Sequence, residues 1–60
     1  MSAKQPSKRE LAIARLRIAG YDDDRKTWTR TYVENRIGYA VAQEAWQQGV
    51  ALRQAGVPRS

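Results

Sequence analysis

The side chains of this chain that can do chemistry are arginines, lysines and a few carboxylates beside tryptophan and tyrosine, with no histidine or cysteine among them. Without an imidazole or thiol, a serine or threonine nucleophile has no ready base, and the usual zinc ligands are missing. Asp22, Asp23 and Asp24 stand together, but a calcium loop needs spaced ligands and a distal glutamate. Aspartates in that position are expected instead to cap a helix and complement its positive end. The glycines at 20, 38, 49 and 56 are dispersed and build no phosphate-cradling loop. The expectation is a protein that is not an enzyme and needs neither cofactor nor metal.

Binding chemistry is left. Eleven Lys and Arg against six Asp and Glu give a net charge of +5, and most of the cations are arginines, which suit bidentate contact with phosphate or carboxylate. Their placement is uneven: residues 1–20 hold five cations and one anion, whereas 21–36 hold four of each. A positive N-terminal third attracts nucleic acid, anionic lipid or an acidic protein surface. Lys4, Lys8, Arg9, Arg15 and Arg17, followed by Arg25 and Lys26, form the basic cluster. From it Lys8, Arg9, Arg15, Arg17 and Lys26, with Arg30 and Arg36, are the candidate phosphate contacts. Gln43 and Gln47 are the candidate base readers, because a glutamine amide can make two hydrogen bonds to adenine. The bland alternative is that the cations are solvated and the glutamines form a soluble helix face.

The elements that must position these residues are helical. Ser7-Lys8-Arg9-Glu10 matches a capping box in front of a run of good helix formers ending at Ala19, with Gly20 as terminator. Leu11, Ala12, Leu16, Ile18 and Ala19 then share one broad face, and Arg15 lies within it. The segment Thr27 to Val33 is β-branched at alternate positions and would suit a strand. Trp28 and Tyr32, however, lie four apart on one helix face, and no second strand-like segment exists for pairing. Helix is therefore expected over about 24–35, with a dimeric two-stranded ribbon as the alternative.

The last helix is marked at both ends. Gly38 can serve as N-cap with Ile37 and Ala42 as a hydrophobic staple, Gly56 suits a left-handed C-terminal position, and Pro58 prevents continuation. At about 100° per residue, Tyr39, Val41, Ala42, Ala45, Trp46, Gly49, Val50, Leu52 and Arg53 fall on one wide arc. The predicted fold is all-α: a compact three-helix domain with helices at about 7–19, 24–35 and 39–55, preceded by a disordered basic tail at 1–6. Residues 7–60 form the single domain.

Helices 2 and 3, joined by the short connection 35–38, allow a helix-turn-helix-like reading with helix 3 as the recognition helix. The connection lacks the usual glycine-then-aliphatic spacing, and the first two turns of helix 3 carry no arginine. Trp46 and Tyr39 read as core or dimer contacts rather than base-stacking groups. So small a domain, with no disulfide or metal to supplement its core, is expected to self-associate. Gly49, which costs roughly 1 kcal/mol against alanine in a helix, points to a close helix approach within the fold or across an interface. Tyr39, Trp46, Gly49, Val50 and Arg53 form the candidate interface centred on it. Two function classes follow: a small nucleic-acid-binding accessory or regulatory protein, or an adaptor or inhibitor docking an apolar-aromatic helix face on a larger protein. No stretch of about 18 apolar residues spans a membrane, and the run from Leu11 to Ala19 is broken by Arg15 and Arg17, so no secretory signal is expected and the cytoplasm is the default location.

Overall fold

The computed structural model describes residues 6–59, and the expected tail lies outside it except for Pro6. Three helices follow in order: α1 (Lys8–Asp22), α2 (Arg25–Glu34) and α3 (Tyr39–Gln54). The 27–33 segment is helical, and the described residues contain no strand.

Each helix begins as the side chains dictate. The Ser7 hydroxyl accepts from the Glu10 amide at 3.1 Å while the Glu10 carboxylate accepts from the Ser7 amide at 3.0 Å, completing the capping box. Asp24 accepts from the Thr27 amide at 3.1 Å and from its hydroxyl at 2.6 Å. The Thr27 hydroxyl is the main reason that the Asp24 carboxyl titrates below its ordinary value of 3.8, with the Thr27 amide next. At α3, Gly38 is the N-cap without a side-chain bond, and Ile37 and Ala42 are both buried in one cluster, as a staple requires.

The ends of the helices repeat one closure. A left-handed residue stands after each: Asp23 (φ 56°), Arg36 (φ 50°) and Gly56 (φ 77°). The amide that follows reaches back five residues, from Asp24 to the Ala19 carbonyl, Ile37 to Tyr32 and Val57 to Leu52, at 2.8, 3.4 and 3.0 Å. This is the Schellman arrangement. Only Gly56 was legible as such, because aspartate and arginine occupy the other two left-handed positions.

Gly20 does not end α1, which continues to Asp22. It is buried where α1 crosses α3: a β-carbon there would overlap the Trp46 carbonyl oxygen and stand 2.9 Å from its Cα. Gly49 makes the reciprocal approach, where a β-carbon would overlap the Arg17 carbonyl oxygen and lie 2.6 Å from the Tyr21 nitrogen. The two backbones touch. Contacts advance in the same sense along both helices, from Arg17–Gln48 to Tyr21–Arg53 and Tyr21–Val57, so α1 and α3 run side by side with α2 reversed against them.

Ala12, Leu16, Ile37, Ala42 and Ala45 form the core cluster, with Ala19 also buried. Among the described residues Leu16 is the one large side chain fully enclosed. Leu11 and Ile18, placed on the buried face by their wheel positions, are exposed, and so is Leu52 on α3. Trp46 is half-buried rather than central, because a backbone-to-backbone crossing leaves no interior room for an indole.

Two predictions test this account. Gly49→Ala forces a β-carbon into rigid backbone and should destabilise by about 1–3 kcal/mol or more, a large part of the ~3–5 kcal/mol available to a domain this size. Gly38→Ser meets nothing within 4 Å, supplies the missing cap, and should stabilise by a few tenths of a kcal/mol. Urea unfolding of the two variants should move the midpoint in opposite directions; equal midpoints would contradict the crossing.

The second concerns pH. The Asp24 carboxyl is depressed in the folded chain, so its charge stabilises the fold above the unfolded value, and that contribution is lost as pH falls through the folded one. In Asp24→Asn the cap is kept but no longer titrates there. The stability difference between the parent and this variant should therefore shrink on acidification below 3.8; a difference independent of pH would contradict the cap's ionised state.

Candidate functional site

The aromatic side chains displaced from the interior gather on the α2–α3 side. Trp28 and Tyr32, one turn apart on α2, stack with ring centroids 5.2 Å apart and planes 10° from parallel. Tyr39 and Trp46, from α3, meet Trp28 edge-on at 6.4 and 6.2 Å, and Tyr39 meets Tyr32 edge-on at 6.1 Å. These are favourable aromatic geometries. The Trp28 indole nitrogen donates to the Ala42 carbonyl at 3.1 Å, which fastens α2 to the first turn of α3.

The cluster is not sealed. Trp28, Tyr32 and Trp46 are half-buried, and Tyr39 is 61% exposed. Arg25, Trp28, Tyr39, Gln43 and Trp46 line an open cup of about 190 Å³. The Arg25 guanidinium stands over the Trp46 ring, 5.7 Å from its centroid, as a cation–π pair. Three rings, one cation and one amide thus converge on a concavity at the protein surface, with Tyr32 stacked behind Trp28.

Arg25 also begins a basic strip. With Lys26, Thr29 and Arg30 it lines a shallow depression along α2. Arg30 in turn borders the groove between α1 and α2, where Arg15 joins it along with Asp22, Asp24 and Glu34. The cup and the strip are therefore continuous through Arg25.

Asp22, Asp24 and Glu34 border that groove, but none lies within ion-pairing distance of Arg15, Lys26 or Arg30. Among the described residues the one ion pair is Arg59–Asp22, at 3.0 Å. Glu10 and Asp24 are engaged on helix-start amides, and Glu44 accepts from Gln48 at 3.5 Å. Arg17 donates to the Gln48 amide oxygen at 3.0 Å, and Arg53 donates to the Tyr21 carbonyl at 3.2 Å, where it satisfies the C-terminal end of α1.

The structure distributes the sequence-predicted site residues over several regions. Lys26 and Arg30 share the α2 strip, with Arg15 across the groove. Lys8 and Arg9 open α1, and Arg36 occupies the turn beside Ile37; since Ala12, Ile37 and Ala42 share one cluster, these three cations lie toward one end of the molecule. Arg17 faces α3. Gln43 lines the cup and Gln47 is exposed on α3. The expected homodimer seam centred on Gly49 is corrected: Gly49 is buried against α1, Arg53 is bonded to α1, and Val50 lines a hollow with Gly20 and Asp23 at the end of that helix. Tyr39 and Trp46 remain at the surface, on the cup.

Arg25 was counted in the basic cluster but not among the candidate contacts. Its spacing from Trp28 (i, i+3) placed it beside the aromatics on one helix face, and that was the available signal. The described residues hold no group of three or more metal-ligating side chains and no helix long and apolar enough to cross a membrane. No protein family, curated protein or solved structure matches this chain.

Proposed function

We propose that this chain binds nucleic acid as a small accessory or regulatory protein, with α2, the turn at 35–38 and α3 as its helix-turn-helix-like unit. The observation that carries the reading is the fate of the charges. Carboxylates are drawn to helix ends, while Arg25, Lys26 and Arg30 line a depression along α2 that no carboxylate lines, and among the described residues neither they nor Arg15 has a carboxylate within ion-pairing distance. Cations grouped in that way supply phosphate contacts. Arg36 adds to this: a non-glycine residue held left-handed costs stability, yet an arginine stands there, at the turn leading into α3. Gln47, exposed on α3, is the side chain left to read base edges.

A second reading, docking on a larger protein or a second copy, is favoured by the exposure of Tyr39 and Leu52 on α3 and of Leu11 on α1. The two readings differ in their response to salt. Binding through about six phosphates should lose roughly a thousandfold in affinity between 50 and 200 mM salt. The triple variant Lys26→Gln, Arg30→Gln, Arg36→Gln should reduce the log–log salt slope by about 3 on duplex DNA, near one unit per contact. The single change Arg36→Gly should weaken binding while leaving stability equal or higher, because glycine takes the left-handed position without strain. Absence of binding to DNA or RNA even at 50 mM salt would reject the nucleic-acid reading and leave the protein partner in front.

A further inference from the structure

We propose, resting on the nucleic-acid reading above, that the cup of Arg25, Trp28, Tyr39, Gln43 and Trp46 captures a single unstacked base of a single-stranded segment whose phosphates run onto Lys26 and Arg30. Three observations lead there. A tyrosine 61% exposed within a cluster of four interacting rings keeps a large apolar surface in water, beside a concavity of about 190 Å³, smaller than the pockets that take drug-sized molecules. Gln43 stands in that concavity, whereas its neighbour Gln48 is tied to Arg17 and Glu44. An amide in that position can exchange both a donor and an acceptor with a base edge. Arg25, finally, places a guanidinium inside the cup, over Trp46.

That cation decides the class of occupant. Aromatic cages for quaternary ammonium groups work by ring–cation attraction, and here the Arg25 guanidinium already covers one ring face and repels a second cation. An electron-rich heteroaromatic ring attached to a phosphate fits both parts: the ring stacks on Tyr39 or under the guanidinium, and the anion meets the strip that begins at Arg25. Aromatic platforms joined to a basic track are how single strands are held with little sequence preference. A duplex presents no free base face, so it should use the strip and not the cup.

The experiment uses the full chain with four probes at 50 mM salt: a 12-nucleotide single strand of mixed sequence, the same strand lacking its bases, the matching duplex, and a mononucleotide. The single strand should quench tryptophan fluorescence, and the base-free strand should bind more weakly without quenching. Tyr39→Ala should weaken single-strand binding about tenfold or more while leaving duplex binding within about twofold. Tyr39→Phe, which keeps the ring, should restore it, with circular dichroism confirming the helices in both variants. Equal losses on single strand and duplex, or equal binding and quenching by the base-free strand, would overturn the cup while leaving the basic strip intact. A mononucleotide binding as tightly as the strand would overturn the strand as occupant. Capture of a proline-rich peptide with loss of all nucleic-acid binding would overturn both readings.

Discussion

The backbone contact between α1 and α3 is the constraint on which the rest depends. Gly20 and Gly49 allow the two helices to touch main chain to main chain, since a β-carbon at either would enter the partner's carbonyl. A crossing that close is lined by Ala12, Ala19, Ala42 and Ala45, with Leu16 filling the space that widens away from it. Such an interior is dense but narrow. It has no volume for indole or phenol rings, so the aromatic residues, Tyr21 on α1 apart, are displaced to the α2–α3 side. There they join α2 to the remainder through stacked and edge-on contacts and the Trp28–Ala42 hydrogen bond. The surface cup is thus a consequence of the glycine crossing: the fold stays closed with small residues and leaves its largest apolar side chains at the periphery.

That division explains what could be read from the sequence. Helix boundaries were legible where a side chain acts on its own backbone, as at the Ser7–Glu10 capping box, the Asp24 cap, and Gly56 before Pro58. They were less legible where closure uses a residue without a conformational signature, as with Asp23 and Arg36 in the left-handed region. Apolar periodicity identified a face but not its neighbour. It marked Gly49 as a close helix approach, within the fold or across an interface, and set the dimer seam there, when the first helix of the same chain already occupies it. It ranked Trp46 as core because tryptophan is large and apolar, although the depth available at a given wheel position is set by how near the partner backbone comes. Gly20 was taken as a stop because glycine ends helices often; its role as a close-approach position depends on Trp46, remote in sequence.

Charge follows the same logic of separate local demands. The termini of three short helices expose many unpaired amides in few residues, and acidic side chains are the efficient answer at their positive ends. Glu10 and Asp24 are held there, and Asp23 and Asp24 also furnish the amides that close α1. With those carboxylates committed to the backbone, Arg25, Lys26 and Arg30 form no ion pair among the described residues. Residues 21–36 hold as many anions as cations, yet the depression that these three line along α2 has no carboxylate in its wall.

Arg25 joins these two consequences. It lies where the displaced aromatics meet the cations of α2, with its guanidinium over Trp46 and its neighbours Lys26 and Arg30 along the helix. In the proposed complex it has two competing partners, the Trp46 ring face and a phosphate. Cation–π attraction is worth about 0.5–1 kcal/mol at an exposed site, while charge-assisted hydrogen bonds to an anion are of comparable or greater strength. The residue is therefore poised to leave the ring for a phosphate or to stay and stack on an incoming base, at little cost in either direction. Because neither partner belongs to the core of Leu16 and the alanines, such a rearrangement leaves the α1–α3 crossing undisturbed, which separates the proposed binding surface from the part of the molecule that keeps it folded.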